Sequence, residues 1–269
     1  MGHDKLRKFA ENETFSCLLQ PSAEGLLDRS SGEPGLHLRP HSIRGHWNEK
    51  MFDASRPILL ELGCGKGDYT IALALRHPEC NYIGVDIKGA RLWKGAKFAT
   101  EHALGNVAFL RTRIEFIGAF FAPGEVSEIW LTFSDPQMKS ENSRLTSPLF
   151  LERYRGFLAP GGRVHLKTDS RFLYEYSLAT ARANGLTVLC ADTDIYRHSG
   201  PVPESFPPDL LTVQTFYEKM FLEMGLPITY LSFLLNKEGE FVYPEFDADY
   251  WRSAEGPRRT FSHHPAPKK

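Results

Sequence analysis

Residues 58 to 68 read Ile58-Leu59-Leu60-Glu61-Leu62-Gly63-Cys64-Gly65-Lys66-Gly67-Asp68. An apolar run ending in an acid, then glycines at alternate positions, then a helix-like stretch predicts a buried strand that turns sharply into a helix. Glycine suits such a turn because it lacks a Cβ, tolerates positive φ and lets the backbone approach a ligand above the sheet. The spacing is not the dinucleotide fingerprint Gly-x-Gly-x-x-Gly. Its third glycine comes one residue early, at Gly67, and Asp68 stands where that fingerprint needs glycine, with a charge that a pyrophosphate would repel. Glu61, two residues before the first glycine, suits a ligand with a cationic end.

A second acid follows. Asn81-Tyr82-Ile83-Gly84-Val85-Asp86 is another short apolar strand, and Asp86 lies about 20 residues past the loop, where a carboxylate can accept hydrogen bonds from two ribose hydroxyls. Glu61, the glycines at Gly63, Gly65 and Gly67, and Asp86 together resemble the S-adenosylmethionine site of class I methyltransferases. A glycine-rich turn that binds nothing is the bland alternative.

From residue 57 onward strand and helix signals alternate, as in a parallel sheet with helices on both faces. Strands are predicted at 58–62, 81–86, 107–111, 128–133, 162–168, 187–192 and 228–235. Helices are predicted at 68–76, 88–102, 148–158, 172–184 and 214–224. The expected architecture is thus α/β and Rossmann-like, a seven-stranded, mostly parallel sheet. Residues 1–56 lack sustained periodicity and read as a partly irregular arm, 57–236 as one domain, and 237–269 as a polar tail ending in Arg258-Arg259 and Lys268-Lys269.

With 269 residues and 42% apolar side chains, the chain can bury one large core. The charged start, Met1 to Lys8, leads into no apolar stretch, and no segment approaches a membrane span. A soluble cytoplasmic protein is expected, with no membrane partner, as a monomer or homodimer. The four cysteines are scattered and no His-Glu-x-x-His occurs, so neither a disulfide framework nor a metal site is indicated. A formal charge of -1 does not advertise nucleic-acid binding. Locally, Lys88, Arg91, Lys94, Lys97, Arg111 and Arg113 oppose only Glu101. The first four lie roughly along one helix face, either as a solvated surface or as a phosphate-tracking stripe.

Ligands of open α/β sheets lie beyond the carboxyl ends of the strands. The segment after the fourth predicted strand, Phe133-Ser134-Asp135-Pro136-Gln137-Met138-Lys139, therefore faces whatever the loop holds. Asp-Pro alone can be a turn initiator. Here the chain resembles the bacterial tRNA (guanine-N7-)-methyltransferase family, which methylates guanine 46 in the variable loop. The family's Phe-Pro-Asp-Pro-Trp segment appears with Asp135 and Lys139 kept and Ser134 and Gln137 substituted, and the basic run behind it is reduced to Lys139 and Arg144. The family's Thr-Asp pair appears as Thr168-Asp169, and its Thr-x-x-Glu motif as Thr215-Phe216-Tyr217-Glu218. Residues 5–15 and 45–50 also look familial.

The resemblance implies S-adenosylmethionine as donor, without a metal, and tRNA as partner. Glu61 and the Gly63–Gly67 loop would hold the methionine end, Asp86 the ribose, and Thr112 and Arg113 the adenine, where many members place an acid that this chain lacks. Asp135 is the implied catalytic residue and also lies against the donor. Lys139, Asp169, Thr215, Phe216, Tyr217 and Glu218 are the implied substrate contacts. Read alone, Asp169 suits a helix cap and Glu218 a surface charge. Three other functions stay open at this point: a methyltransferase with another acceptor, an RNA-binding module without turnover, and, more distantly, a nicotinamide oxidoreductase.

Overall fold

The run at 58–62 becomes the central strand because both its faces are covered and its apolar side chains alternate into two layers. The computed structural model describes residues 2–30, 35–197 and 201–256. Its strands are β1 (Leu18–Leu19), β2 (Ile58–Leu62), β3 (Asn81–Asp86), β4 (Val107–Arg111), β5 (Val126–Thr132), β6 (Leu158–Thr168), β7 (Val188–Asp192) and β8 (Thr229–Leu234). Its helices are α1 (Gly2–Asn12), α2 (Ala23–Leu26), α3 (Trp47–Lys50), α4 (Asp68–Arg76), α5 (Gly89–Glu101), α6 (Pro148–Arg155), α7 (Arg171–Ala183), α8 (Phe216–Glu223) and α9 (Ala248–Glu255).

All the strands form one sheet in the order β1-β4-β3-β2-β5-β6-β8-β7. Every pairing from β1 to β6 is parallel, and β8 lies antiparallel between β6 and β7. The order reverses at β2, with β3 on one side and β5 on the other, so the crevice of an open sheet opens above the β2 turn. Seven strands are expected from the sequence and eight are present among the described residues. The extra one is β1, two residues of the N-terminal arm added beyond β4 in the register Leu18↔Phe109 and Leu19↔Leu110.

Much of that arm is packed rather than free. Trp47 is wholly buried, stacks on Phe121 at 5.2 Å and donates from Nε1 to the carbonyl of Phe120. Helix α1 docks on α5, where Glu11 accepts from Trp93 Nε1 at 2.6 Å and Asn12 donates to the carbonyl of Gly89 at 2.9 Å. After residue 236, the chain forms α9 against α7, and Glu255 accepts from the N–H of Phe172 and the hydroxyl of Ser170. The C-terminal basic pairs lie outside the described residues.

Two core layers sandwich the sheet, and Phe109 fixes one of them near the turn. Its ring fills a slot lined by three glycines: a Cβ would lie 2.6 Å from it at Gly67, 2.8 Å at Gly84 and 2.6 Å at Gly95. The glycine loop is thereby pressed onto β3, β4 and α5. In an open helix, Gly95→Ala raises stability by about 1 kcal/mol. Here the added methyl also meets the backbone carbonyl of Lys66 at 2.9 Å, so the expected sign is reversed, a loss of about 1–3 kcal/mol. Thermal unfolding checks this: a lowered midpoint is expected, and an unchanged or raised one contradicts the packed slot.

Candidate active site

The turn after β2 is built from three left-handed glycines, Gly63 (φ 84°), Gly65 (φ 58°) and Gly67 (φ 75°). The N–H groups of Gly63 and Cys64 both donate to the carbonyl of Val85 at 2.8 and 3.0 Å, folding the loop over the end of β3. At Gly63 and Gly65 a Cβ would meet nothing within 4 Å, because both face the open crevice. Gly67 differs: it caps α4 and packs on Phe109, and does not line the crevice. Its expected place among the ligand contacts is therefore one of packing.

Glu61, next to last in β2, has almost no solvent contact. Its carboxylate accepts from the N–H of Thr70 at 2.9 Å and from the hydroxyls of Thr70 and Thr132, joining β2, α4 and β5. Burial outweighs these hydrogen bonds and pushes the carboxyl up to about 7. A cationic ligand group would favour its charged form. Asp86 accepts from the N–H groups of Gly65 at 3.0 Å and Lys88 at 2.7 Å. A carboxylate has about four lone-pair sites, so Asp86 keeps acceptor capacity for two hydroxyls.

The crevice has two lobes that share Gly63, Arg91 and Phe133. The first is walled by Glu61, Gly65, Tyr69 and the segment Thr215-Phe216-Tyr217. The second lies between Asp86, Thr112, Arg113 and Glu115 on one side and Asp135 and Gln137 on the other. Two buried hydroxyls, Tyr69 Oη in the first lobe and Ser134 Oγ in the second, lack a hydrogen-bond partner among the described residues. Such orphans suit lobes that receive polar groups from a ligand.

Asp135 is exposed and sits in a strained loop. Phe133 (φ 50°) and Gln137 (φ 47°) are left-handed without being glycine, one on each side of it. The N–H of Gln137 donates to Asp135 Oδ1 at 2.9 Å, and the carbonyls of Gln137 and Met138 accept from Arg144, while Arg252 also reaches Met138. Arg144 is thus withdrawn from the surface, its guanidinium over the rings of Phe172 and Tyr176. Of the two basic residues read behind the motif, only Lys139 remains exposed, outside both lobes.

Other expected contacts separate. Asp169 is half-buried at the junction of β6 and α7, and the α7 cap is its neighbour Ser170, which accepts from the N–H of Leu173. Glu218 is not a surface charge. It is fully buried, closes a capping box with Thr215, accepts from Tyr196 at 2.7 Å and pairs with buried Lys167 at 2.6 Å. Burial pulls the Lys167 ammonium below its ordinary value, and Glu218 pulls it back. Sequence reading missed Tyr69, Thr70, Thr132 and Lys167, because a threonine or lysine inside an apolar run carries no sign of what it bonds. Of the cationic stripe, Arg91 lines both lobes, whereas Lys94 pairs with Asp68 at 2.8 Å and Lys97 with Glu101 at 3.2 Å.

The raised Glu61 carboxyl sets a pH dependence. An acid whose folded value exceeds its unfolded value of 4.5 binds its proton more tightly when folded, so stability falls as pH rises from 4.5 to about 7. The cost is full above that window and absent below it. Glu61→Gln is expected to melt higher than wild type at pH 8 without ligand, with the gap closing toward pH 5. A gap that is independent of pH contradicts the assignment.

Comparison with known proteins places the chain in a family. The family model described as "Putative methyltransferase" covers residues 55–228. A tRNA (guanine-N(7)-)-methyltransferase of Christiangramia forsetii is 48% identical over 86% of this chain and 97% of its own length. One of Bacteroides fragilis is 44% identical over 97% and 98%. Among solved structures, the 16S rRNA methyltransferase KamB shares the fold, with a TM-score of 0.53 and 14% identity over 75% of this chain and 96% of that one. The chain is a class I methyltransferase in fold and belongs to the tRNA (guanine-N(7)-)-methyltransferase family.

Proposed function

We propose that the crevice transfers a methyl group from S-adenosylmethionine to N7 of guanine 46 in tRNA. The observation that carries this is the pair of lobes joined at Gly63 and Phe133, one under Glu61 and the Thr215–Tyr217 wall, the other running from Asp86 to Asp135. The residues fit the donor: Glu61 is a buried carboxylate for an ammonium group, Gly63 and Gly65 leave the loop backbone bare, and Asp86 retains capacity for ribose hydroxyls. Thr112 and Arg113 line the second lobe where adenine would lie, with Ile114 as an apolar neighbour and Glu115 paired to Arg113 at 3.5 Å. When bound, the donor supplies an electrophilic methyl on a sulfonium.

Guanine N7 has a free lone pair and no proton to lose, so no general base is required. Rate then comes from placing N7 in line with the methyl–sulfur bond and excluding water. Asp135, held by its strained loop, spends one oxygen partly on the Gln137 N–H. It keeps capacity to accept from guanine N1–H and the exocyclic amino group, a pattern that adenine does not offer. The same carboxylate stabilises the positive charge that develops on the ring. Lys139, exposed on the loop that carries Asp135, and Arg91 and Lys88 offer cations to the tRNA backbone. Asp169 keeps its role as a substrate contact on the family resemblance alone. A modifier of tRNA of this kind works in the cytoplasm.

Asp135→Ala is expected to lower transfer of labelled methyl to tRNA about a hundredfold or more while leaving donor binding near that of wild type. Loss of donor binding instead would remove Asp135 from the acceptor role. Methylation of DNA or small metabolites in preference to tRNA would favour a different acceptor.

A further inference from the structure

Lys167 sits at the joint between the two halves of the crevice. An ammonium has three donors, and this one, wholly buried, finds three acceptors: Glu218 Oε1 at 2.6 Å and the carbonyls of Leu210 at 2.5 Å and Val213 at 3.2 Å. The backbone carbonyl of Lys167 accepts from the N–H of Phe133 at 2.8 Å, the left-handed residue that opens the Asp135 loop. Tyr69, a wall of the first lobe, has its ring centre 5.6 Å from the Lys167 ammonium. One residue of β6 therefore touches the acceptor loop through its backbone and the donor-lobe wall through its side chain.

A buried ion pair is a weak source of net stability, since desolvation offsets its attraction and apolar residues of like volume often serve as well. What distinguishes it from apolar packing is direction. The first turn of α8 exposes Phe216 and Tyr217, and Glu218 is its one buried residue; the next, Phe221, comes a turn later. Residues 210–213 before it contain no helix or strand. The part of α8 that lines the crevice is thus anchored inward through Glu218, and Glu218 through Lys167 and Tyr196.

We propose that Lys167 is a positioning residue, whose buried pair with Glu218 fixes the Thr215–Tyr217 wall of the donor lobe in register with the Asp135 loop. The role rests on the reading of the first lobe as the site of the donor's methionine end. It assigns Glu218 to the interior, acting on the ligands through the wall it holds.

Glu218→Gln, Lys167→Met and the apolar double variant Lys167→Met/Glu218→Leu test it, by hydrogen exchange, thermal unfolding and S-adenosylmethionine binding. Each single variant should speed exchange across residues 210–223 while leaving 58–68 unchanged. Donor affinity should weaken about tenfold as the population with a formed wall falls to a tenth. The double variant should regain the melting temperature without regaining donor affinity, because apolar packing restores burial and not register. Donor affinity that tracks melting temperature through the series would reduce the pair to a structural role and overturn the proposal. So would a Glu218→Gln variant that loses kcat while its exchange and donor affinity stay unchanged, since Glu218 would then touch guanine itself. Exchange, melting and donor binding need no RNA, so failure of the tRNA assignment leaves these arms of the test intact. If wild type binds no donor, the reading of the lobe fails, and exchange at 210–223 alone still decides whether the pair holds the wall.

Discussion

A carboxylate kept out of water at the end of β2 is the constraint on which the site depends. Glu61 can stay there only because Thr70 and Thr132 supply donors from α4 and β5, and those bonds set where α4 begins and how β5 lies beside β2. The three left-handed glycines follow from the same demand, since the chain must reverse within a few residues to bring Thr70 back over Glu61. Phe109 then closes the arrangement from below, in a slot that admits no side chain at Gly67, Gly84 or Gly95. These contacts together hold the turn in one arrangement, with the buried Glu61 carboxylate, bonded by Thr70 and Thr132, in the wall of the first lobe.

The acceptor half obeys a different logic. Asp135 lies in a loop of unfavourable backbone geometry, held by Arg144 and Arg252 from behind and by the Lys167 carbonyl at its start. Strain of this kind persists when the surroundings over-determine it. The C-terminal helix α9 contributes to that frame, since Arg252 reaches Met138 and Glu255 reaches the start of α7. Residues far along the chain thus bear on the loop that carries Asp135.

The elements around the donor were legible in the sequence because their signals are local. Helix α4, β2 and β3 span the predicted residues, with Glu61 next to last in β2 and Asp86 at the end of β3, and the glycine spacing pointed away from a dinucleotide. Other elements depend on contacts that sequence periodicity does not carry. A two-residue strand such as β1 has no period, and its pairing comes from the partner β4. Helix α1 is charged and short, and is held by Trp93 and Gly89 of a distant segment. Arg144 read as part of a basic run, and Glu218 as a substrate contact or, taken alone, a surface charge; a buried charge is unusual without a partner, and the partners lie on other elements. Gly67 read as a ligand contact because motif spacing does not separate a glycine that faces the ligand from one that faces Phe109.

The most direct measurement is the identity of the methylated atom. Unmodified tRNA incubated with the purified chain and S-adenosylmethionine, then cleaved chemically at N7-methylguanine, should break at one position, guanine 46. Methyl incorporation without such cleavage, or cleavage at guanines throughout the RNA, would contradict the account.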